Sequence, residues 1–226
     1  MLRMFAFVLA ALFVSAPLGF AADGKALVDS NKCGDCHKMS GPTAQTIAEV
    51  LKRKAPDLFY AGSKFNKDWL VGYIQKPTTI RPGGVVYLNS ITLDGEADVV
   101  KEAPKCASKL SAGDAAAVAD YLMTLKDANM PTGTFKKMKK VKKAKARVLM
   151  MKDEACNSCH VFPGKGGGIS CPTFEGIGAR LNPDWMYSFI KDPHYWDPKA
   201  WMAKRDFPEE SLQLMVNFMV NMDGED

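Results

Sequence analysis

Cys33-Gly34-Asp35-Cys36-His37, with its second occurrence Cys156-Asn157-Ser158-Cys159-His160, decides how this chain is read. Two thiols three positions apart can reach the two vinyl groups of one porphyrin, and the imidazole of the next residue then faces the iron. C-x-x-C-H is therefore the attachment pattern of c-type haem. A bare C-x-x-C is shared with redox dithiols and half zinc sites; the histidine directly after the second cysteine sets this pattern apart. Two cysteine pairs gathered on one zinc would leave both following histidines without a purpose. The expected cofactors are two haem c groups, with Cys33, Cys36, Cys156 and Cys159 as thioether anchors and His37 and His160 as iron ligands.

A longer duplication sets the architecture. Trp69-Leu70-Val71-Gly72-Tyr73-Ile74-Gln75-Lys76-Pro77 aligns with Trp185-Met186-Tyr187-Ser188-Phe189-Ile190-Lys191-Asp192-Pro193, matching Trp, an aromatic, Ile and Pro at the same offsets. Such a match marks two copies of one unit. Upstream, Ala55-Pro56-Asp57-Leu58 falls over Cys171-Pro172-Thr173-Phe174, and Gly62 over Gly178. Downstream, each copy ends in a closing helix, begun by Ser111 as a cap or by Pro208 as a first-turn proline. The first copy is longer by seven residues before its Trp and by nineteen after its Pro. The longer insertion, with Pro82-Gly83-Gly84 and a turn at Asp94-Gly95, is expected beside the distal face of the first haem, as a shield or a pocket over it.

Haem motif, loop with proline, tryptophan-bearing helix, proline and closing helix follow in the same order in each half. In this each half resembles the class I cytochrome c family, and the resemblance covers nearly all of residues 23–222. It implies an all-α fold of two class I cytochrome c-like domains, each wrapped around one covalently bound haem c. The first is residues 22–128 and the second 135–226, joined by a linker, 129–134. The resemblance also implies that a proline carbonyl after each motif holds the proximal imidazole: Pro56 for His37 and Pro172 for His160. In that family a methionine before the last helix usually fills the sixth iron position. Met202 resembles it, although Ala203 stands where the family commonly has proline; His194 is its rival. The first half departs from the pattern, having no methionine between Met39 and Met123 and no histidine after His37. Cys106 occupies the equivalent place and is the expected thiolate ligand, helped by Lys105 and Lys109. The alternatives are a lysine or water on that iron, or a disulfide from Cys106 to Cys171.

Arg3, the apolar stretch from Met4 to Phe20 and the small residues Gly19 and Ala21 read as a secretory signal, residues 1–21, cleaved near Ala21. The stretch falls short of the roughly 20 apolar residues of a membrane span. Export agrees with haem attachment outside the cytoplasmic membrane, so the expected compartment is the periplasm. Charge is uneven: residues 136–147 carry +8 and no acid, and 148–226 carry −5. Phe135, Met138, Val141 and Val148 recur among the lysines at helical spacing, so the run reads as a basic helix opening the second domain. Its lysines are either a solvated face or a docking surface for an acidic redox partner or an anionic membrane. Nucleic acid is a poor partner for an exported haem protein.

The expected function is electron carriage between periplasmic or membrane-bound redox partners. Thiolate ligation would place the first haem below the thioether-ligated second haem, since axial ligands tune the potential. The alternative is an enzyme acting on sulfur anions such as thiosulfate at a His/Cys-ligated first haem. Against it, Arg53 and Arg81 are the only arginines between Asp23 and Met130.

Overall fold

The computed structural model describes residues 23–101 and 106–222; the expected signal segment 1–21 and Glu102 to Lys105 lie outside the described residues. No helix among those described is long and apolar enough to cross a membrane. The first half begins with α1 (Gly24–Ser30), whose Asp23 cap accepts from the Lys25 and Ala26 amides. A 3-10 turn over Cys33–Asp35 carries the first motif. Then come α2 (Ile47–Leu51), opened by a Thr46/Glu49 capping box, α3 (Ala61–Lys64), α4 (Lys67–Gln75) and α5 (Tyr87–Ser90). An antiparallel ribbon of β1 (Ile91–Asp94) and β2 (Ala97–Val100) follows, turning at Gly95, and α6 (Ala112–Thr124) closes the half.

The second half has α7 (Lys143–Val148), running on as a π turn to Asp153, and a second 3-10 turn, Cys156–Ser158. A short ribbon of β3 (Val161–Phe162) and β4 (Gly166–Gly167) leads to α8 (Ile177–Arg180), α9 (Pro183–Lys191), α10 (Pro193–Trp196) and α11 (Glu209–Val220). Helices α3 and α8, and α4 and α9, have identical lengths and share the spacing that separates Trp69 from Trp185. Gly62 and Gly178 explain their alignment. A Cβ there would lie 2.2 Å from the Met123 carbonyl oxygen and 2.5 Å from that of Val220, so each closing helix ends against a glycine.

Three expectations need correction. The fold is helix-rich but not purely α, because both ribbons are present. The basic stretch is not a helix over 136–142; helix starts only at Lys143. Side chains of α9 and α11 take up its backbone instead. Asp184 accepts from the Gly133 and Phe135 amides, Gln213 from Lys136, and Asn217 from Met138, while the amides of Gln213 and Asn217 donate to the Thr134 and Lys136 carbonyls. Backbone groups so engaged cannot also make the i to i−4 bonds of a helix. Finally, the start of the long insertion is spent on the other half: the Thr173 amide donates to the Ile80 carbonyl and the Gly83 amide to that of Ile169, both at 2.8 Å.

The halves meet through equivalent residues. Phe65 and Leu181, which the repeat aligns, form an antiparallel bridge. The Asn66 amide donates to the Arg180 carbonyl at 3.0 Å, and the Asn182 amide to that of Lys64 at 2.9 Å. The same segment from each copy thus pairs with itself about a local two-fold axis, the isologous arrangement of symmetric dimers. Beside it, Tyr60 packs on Trp196, Trp196 on Trp185, and Arg53 makes an ion pair with Asp197 at 2.5 Å. Buried apolar residues of both halves belong to one continuous core.

Candidate functional site

The two Cys-Cys-His segments have the same local geometry. Lys32 and Ala155, the residues just before the first cysteines, have φ of 54° and 51° and are the only non-glycine residues with positive φ among those described. A left-handed conformation costs an L-residue roughly 1–2 kcal/mol, and it occurs only where a motif begins. The 3-10 turn that follows directs both cysteines and the histidine: the amides of His37 and His160 donate to the carbonyls of Cys33 and Cys156 at 2.9 and 3.0 Å. His37 Nδ1 lies 2.8 Å from the Pro56 carbonyl oxygen and His160 Nδ1 2.7 Å from that of Pro172. With Nδ1–H donating to a carbonyl, each ring keeps Nε2 free with its lone pair, the tautomer that binds a metal. Burial lowers both imidazole pKa values against the opposing pull of the proline carbonyl, and at His160 the Arg81 and Arg180 charges lower it further. Both rings are therefore neutral near pH 7. Burial also raises the thiol pKa of Cys33, and that of Cys156 to about 11.

Donors without acceptors test whether these surroundings suit a haem, which carries two carboxylates. The buried Trp185 Nε1–H has no hydrogen-bond partner. Lys64 Nζ lies 4.8 Å from the Trp185 ring centroid and 5.2 Å from that of Phe65, and burial together with Arg81 and Arg180 pulls its pKa down to about 7. The Lys64 cation and the orphaned Trp185 indole N–H near the two-fold axis suit anionic groups brought by a cofactor. The His160 ring stacks on Phe174 at 4.5 Å, and Phe174 packs edge-on to Phe162, an apolar wall of the kind a porphyrin needs. Among the described residues no three His, Cys, Asp or Glu side chains gather as a metal ion alone would require.

The distal candidates differ in placement. Met202 is half-buried against the core in the irregular segment before α11. His194 is exposed, with Nε2 3.2 Å from the Ala200 carbonyl oxygen, so its ring is engaged at the surface. Cys106 is exposed and lies near Cys33 and Tyr73, beside the first motif. Cys171 lies in the second half, its amide donating to the Cys159 carbonyl, with Arg81 acting on its thiol. No disulfide joins any of the six cysteines.

Residues 21–126 match the family model described as cytochrome c, slightly under half of the chain. The first half carries a cytochrome c domain. Comparison with curated proteins and with solved structures gave no match. A cytochrome c domain implies covalently bound haem c and an electron-transfer role, and within the matched span Cys33, Cys36 and His37 are the residues that would hold that haem. Sequence reasoning passed over Lys64 and Arg180. Extending the repeat five positions upstream of Trp69 and Trp185 would have paired these two basic residues, which then sit together at the two-fold contact. The left-handed residues carry no sequence signal, since neither is Gly, Asn or Asp.

Proposed function

We propose that the chain is an exported dihaem c-type cytochrome that carries electrons between periplasmic or membrane-bound redox partners. The observation that carries this reading is the geometry at His160. It repeats, feature by feature, that of His37 inside the cytochrome c domain: left-handed Ala155, the 3-10 turn and the 2.7 Å contact to Pro172. A conformation costly in itself, repeated at a second motif, supports a second haem held by Cys156, Cys159 and His160. Met202 is the preferred sixth ligand of the second iron because His194 is turned to a backbone carbonyl at the surface. Cys106 is the proposed ligand of the first, from its place beside Cys33. Thiolate at the first iron and thioether at the second give a downhill path from first haem to second.

Lys136, Lys137, Lys139, Lys140 and Lys142 are exposed in or beside a segment held by its backbone, a basic surface suited to an acidic partner or an anionic membrane surface. The sulfur-anion reading finds less support. Arg53 is occupied by Asp197, Thr43 and Asp57, and Arg81 acts on the second half. Haem quantitation by pyridine haemochrome decides the main claim: two haems per chain are expected, and one in Cys156→Ala/Cys159→Ala. One haem in the unaltered chain would refute the dihaem reading. Near-infrared magnetic circular dichroism of the oxidised protein then tests the ligands, with one thiolate and one thioether signal expected.

A further inference from the structure

The backbone flanking Arg81 is fastened to the second half. Ile80 C=O accepts from Thr173, and the Gly83 amide donates to Ile169. The approach is close enough that a Cβ on Gly83 would lie 2.5 Å from the Ile169 oxygen and 2.6 Å from the Tyr87 ring. The loop so gripped contains Pro172, whose carbonyl holds His160. Arg81 is thus pinned against the proximal loop of the other half. Its charge acts on His160 and Cys171, whereas Asp57 is the charge acting on His37. Arg180 meets the same loop from the second half, donating to the Thr173 and Glu175 carbonyls. The nearby acid Asp197 is already paired with Arg53.

Among the described residues the Arg81 guanidinium has no hydrogen-bonded or ion-paired side-chain partner, and partial burial pulls its pKa down from the ordinary value. Arg81 is half-buried, and a planar guanidinium is suited to gripping a carboxylate with two parallel bonds. We propose that Arg81, carried by the first half, completes the haem site of the second half by binding a carboxylate of the haem attached at Cys156 and Cys159. The inference rests on the dihaem reading above. The second site is then shared between the halves, and the halves must be docked for that haem to be fully held.

The test compares Arg81→Gln and Arg81→Lys in the full, haem-loaded chain. Haem is counted per chain, and each haem's reduction is followed through the NMR signals of its own proximal histidine, His37 or His160, in a chain with only three histidines. A nearby cation favours the reduced, more negative haem. Arg81→Gln should therefore lower the potential of the His160 haem more than that of the His37 haem, and Arg81→Lys should recover at least half of the shift. Loss of the second haem from the Gln variant but not from the Lys variant supports the assignment equally. Two haems with unmoved potentials, a shift confined to the His37 haem, or equal losses in both variants would overturn it. One haem in the unaltered chain would instead overturn the dihaem reading, and this inference with it.

Discussion

Replacing Asn217 by alanine tests the claim that the basic segment is held by side-chain amides rather than coiled into a helix. Asn217 is 0% exposed; its Oδ1 accepts from the Met138 amide at 2.8 Å, and its Nδ2 donates to the Lys136 and Gln213 carbonyls at 2.9 and 2.8 Å. The Gln213 carbonyl belongs to α11, so its loss of a second donor matters least. The other two bonds are half-buried, and each is worth about 1 kcal/mol where water can replace the partner and about 1–3 where it cannot. The variant should open the 133–138 segment by about 2–4 kcal/mol, or roughly thirty- to several-hundred-fold at about 1.4 kcal/mol per decade. Global unfolding of a haem protein with two halves need not be two-state, so the assay is native-state hydrogen exchange at Met138, with Lys165 on the β3–β4 turn as a distant reference. Met138 exchange should accelerate by that factor while Lys165 stays within about twofold. If Met138 protection changed by less than about threefold, the amide would be bonded elsewhere, as in a helix, and the capture of this segment would be wrong.

Gly62→Ala and Gly178→Ala should each destabilise their half by about 1–3 kcal/mol in denaturant titration, because the added carbon meets a backbone carbonyl that cannot swing away. Equal stability of either variant would mean that the closing helix does not end there. If the proposed second haem is ligated by Met202, Met202→Ala should abolish its thioether signal and lower its potential, whereas His194→Asn should leave both unchanged. Asp184 sets a pH response. Burial raises its pKa, but donation from Phe135, Gly133 and Thr134 outweighs this and holds it below the ordinary carboxylate value. A depressed folded-state pKa means that the stabilisation is complete above the unfolded value of about 3.9 and is lost as pH falls through the lower folded one. Acid titration should therefore release the 133–135 anchor only below about pH 4, and in Asp184→Asn that step should be missing.

How much was legible depended on whether a residue's role was local. The motifs, the repeat, the prolines opposite the histidines and the matched helices α4 and α9 are all set by short-range spacing, and the structure has them where the sequence pattern puts them. The basic stretch departs from a helix because Phe135, Met138 and Val141 satisfy helical periodicity while the amides of Phe135, Lys136 and Met138 find their partners some fifty to eighty residues away, in Asp184, Gln213 and Asn217. Periodicity reports which side chains are buried and carries nothing about long-range capture of the main chain. The ribbon β1–β2 was half visible. Its Asp94-Gly95 turn was marked, yet the flanking residues Ile91 to Leu93 and Val99 to Val100 were counted as insertion because neither run is long enough to stand out.

The symmetric contact has a consequence for charge. Two copies of one unit that pair through the same segment bring equivalent residues together, so a basic residue at that position meets its own counterpart: the Arg180 carbonyl accepts from the Asn66 amide and the Lys64 carbonyl from that of Asn182. Arg81 joins them from the insertion, and the Lys64 pKa falls to about 7 as a result of burial and these neighbours. Like charges brought together in a poorly solvated interface oppose docking, and Asp57 and Asp197, partly committed to Arg53, offset only part of that. Docking would then strengthen as anionic groups enter between the halves. Haem-loaded protein should accordingly resist separation by salt and proteolytic cleavage within 129–134 better than protein in which Cys156→Ala/Cys159→Ala has removed the second haem. Equal resistance would show that the apolar contacts of Tyr60, Trp185 and Trp196 suffice to hold the halves together.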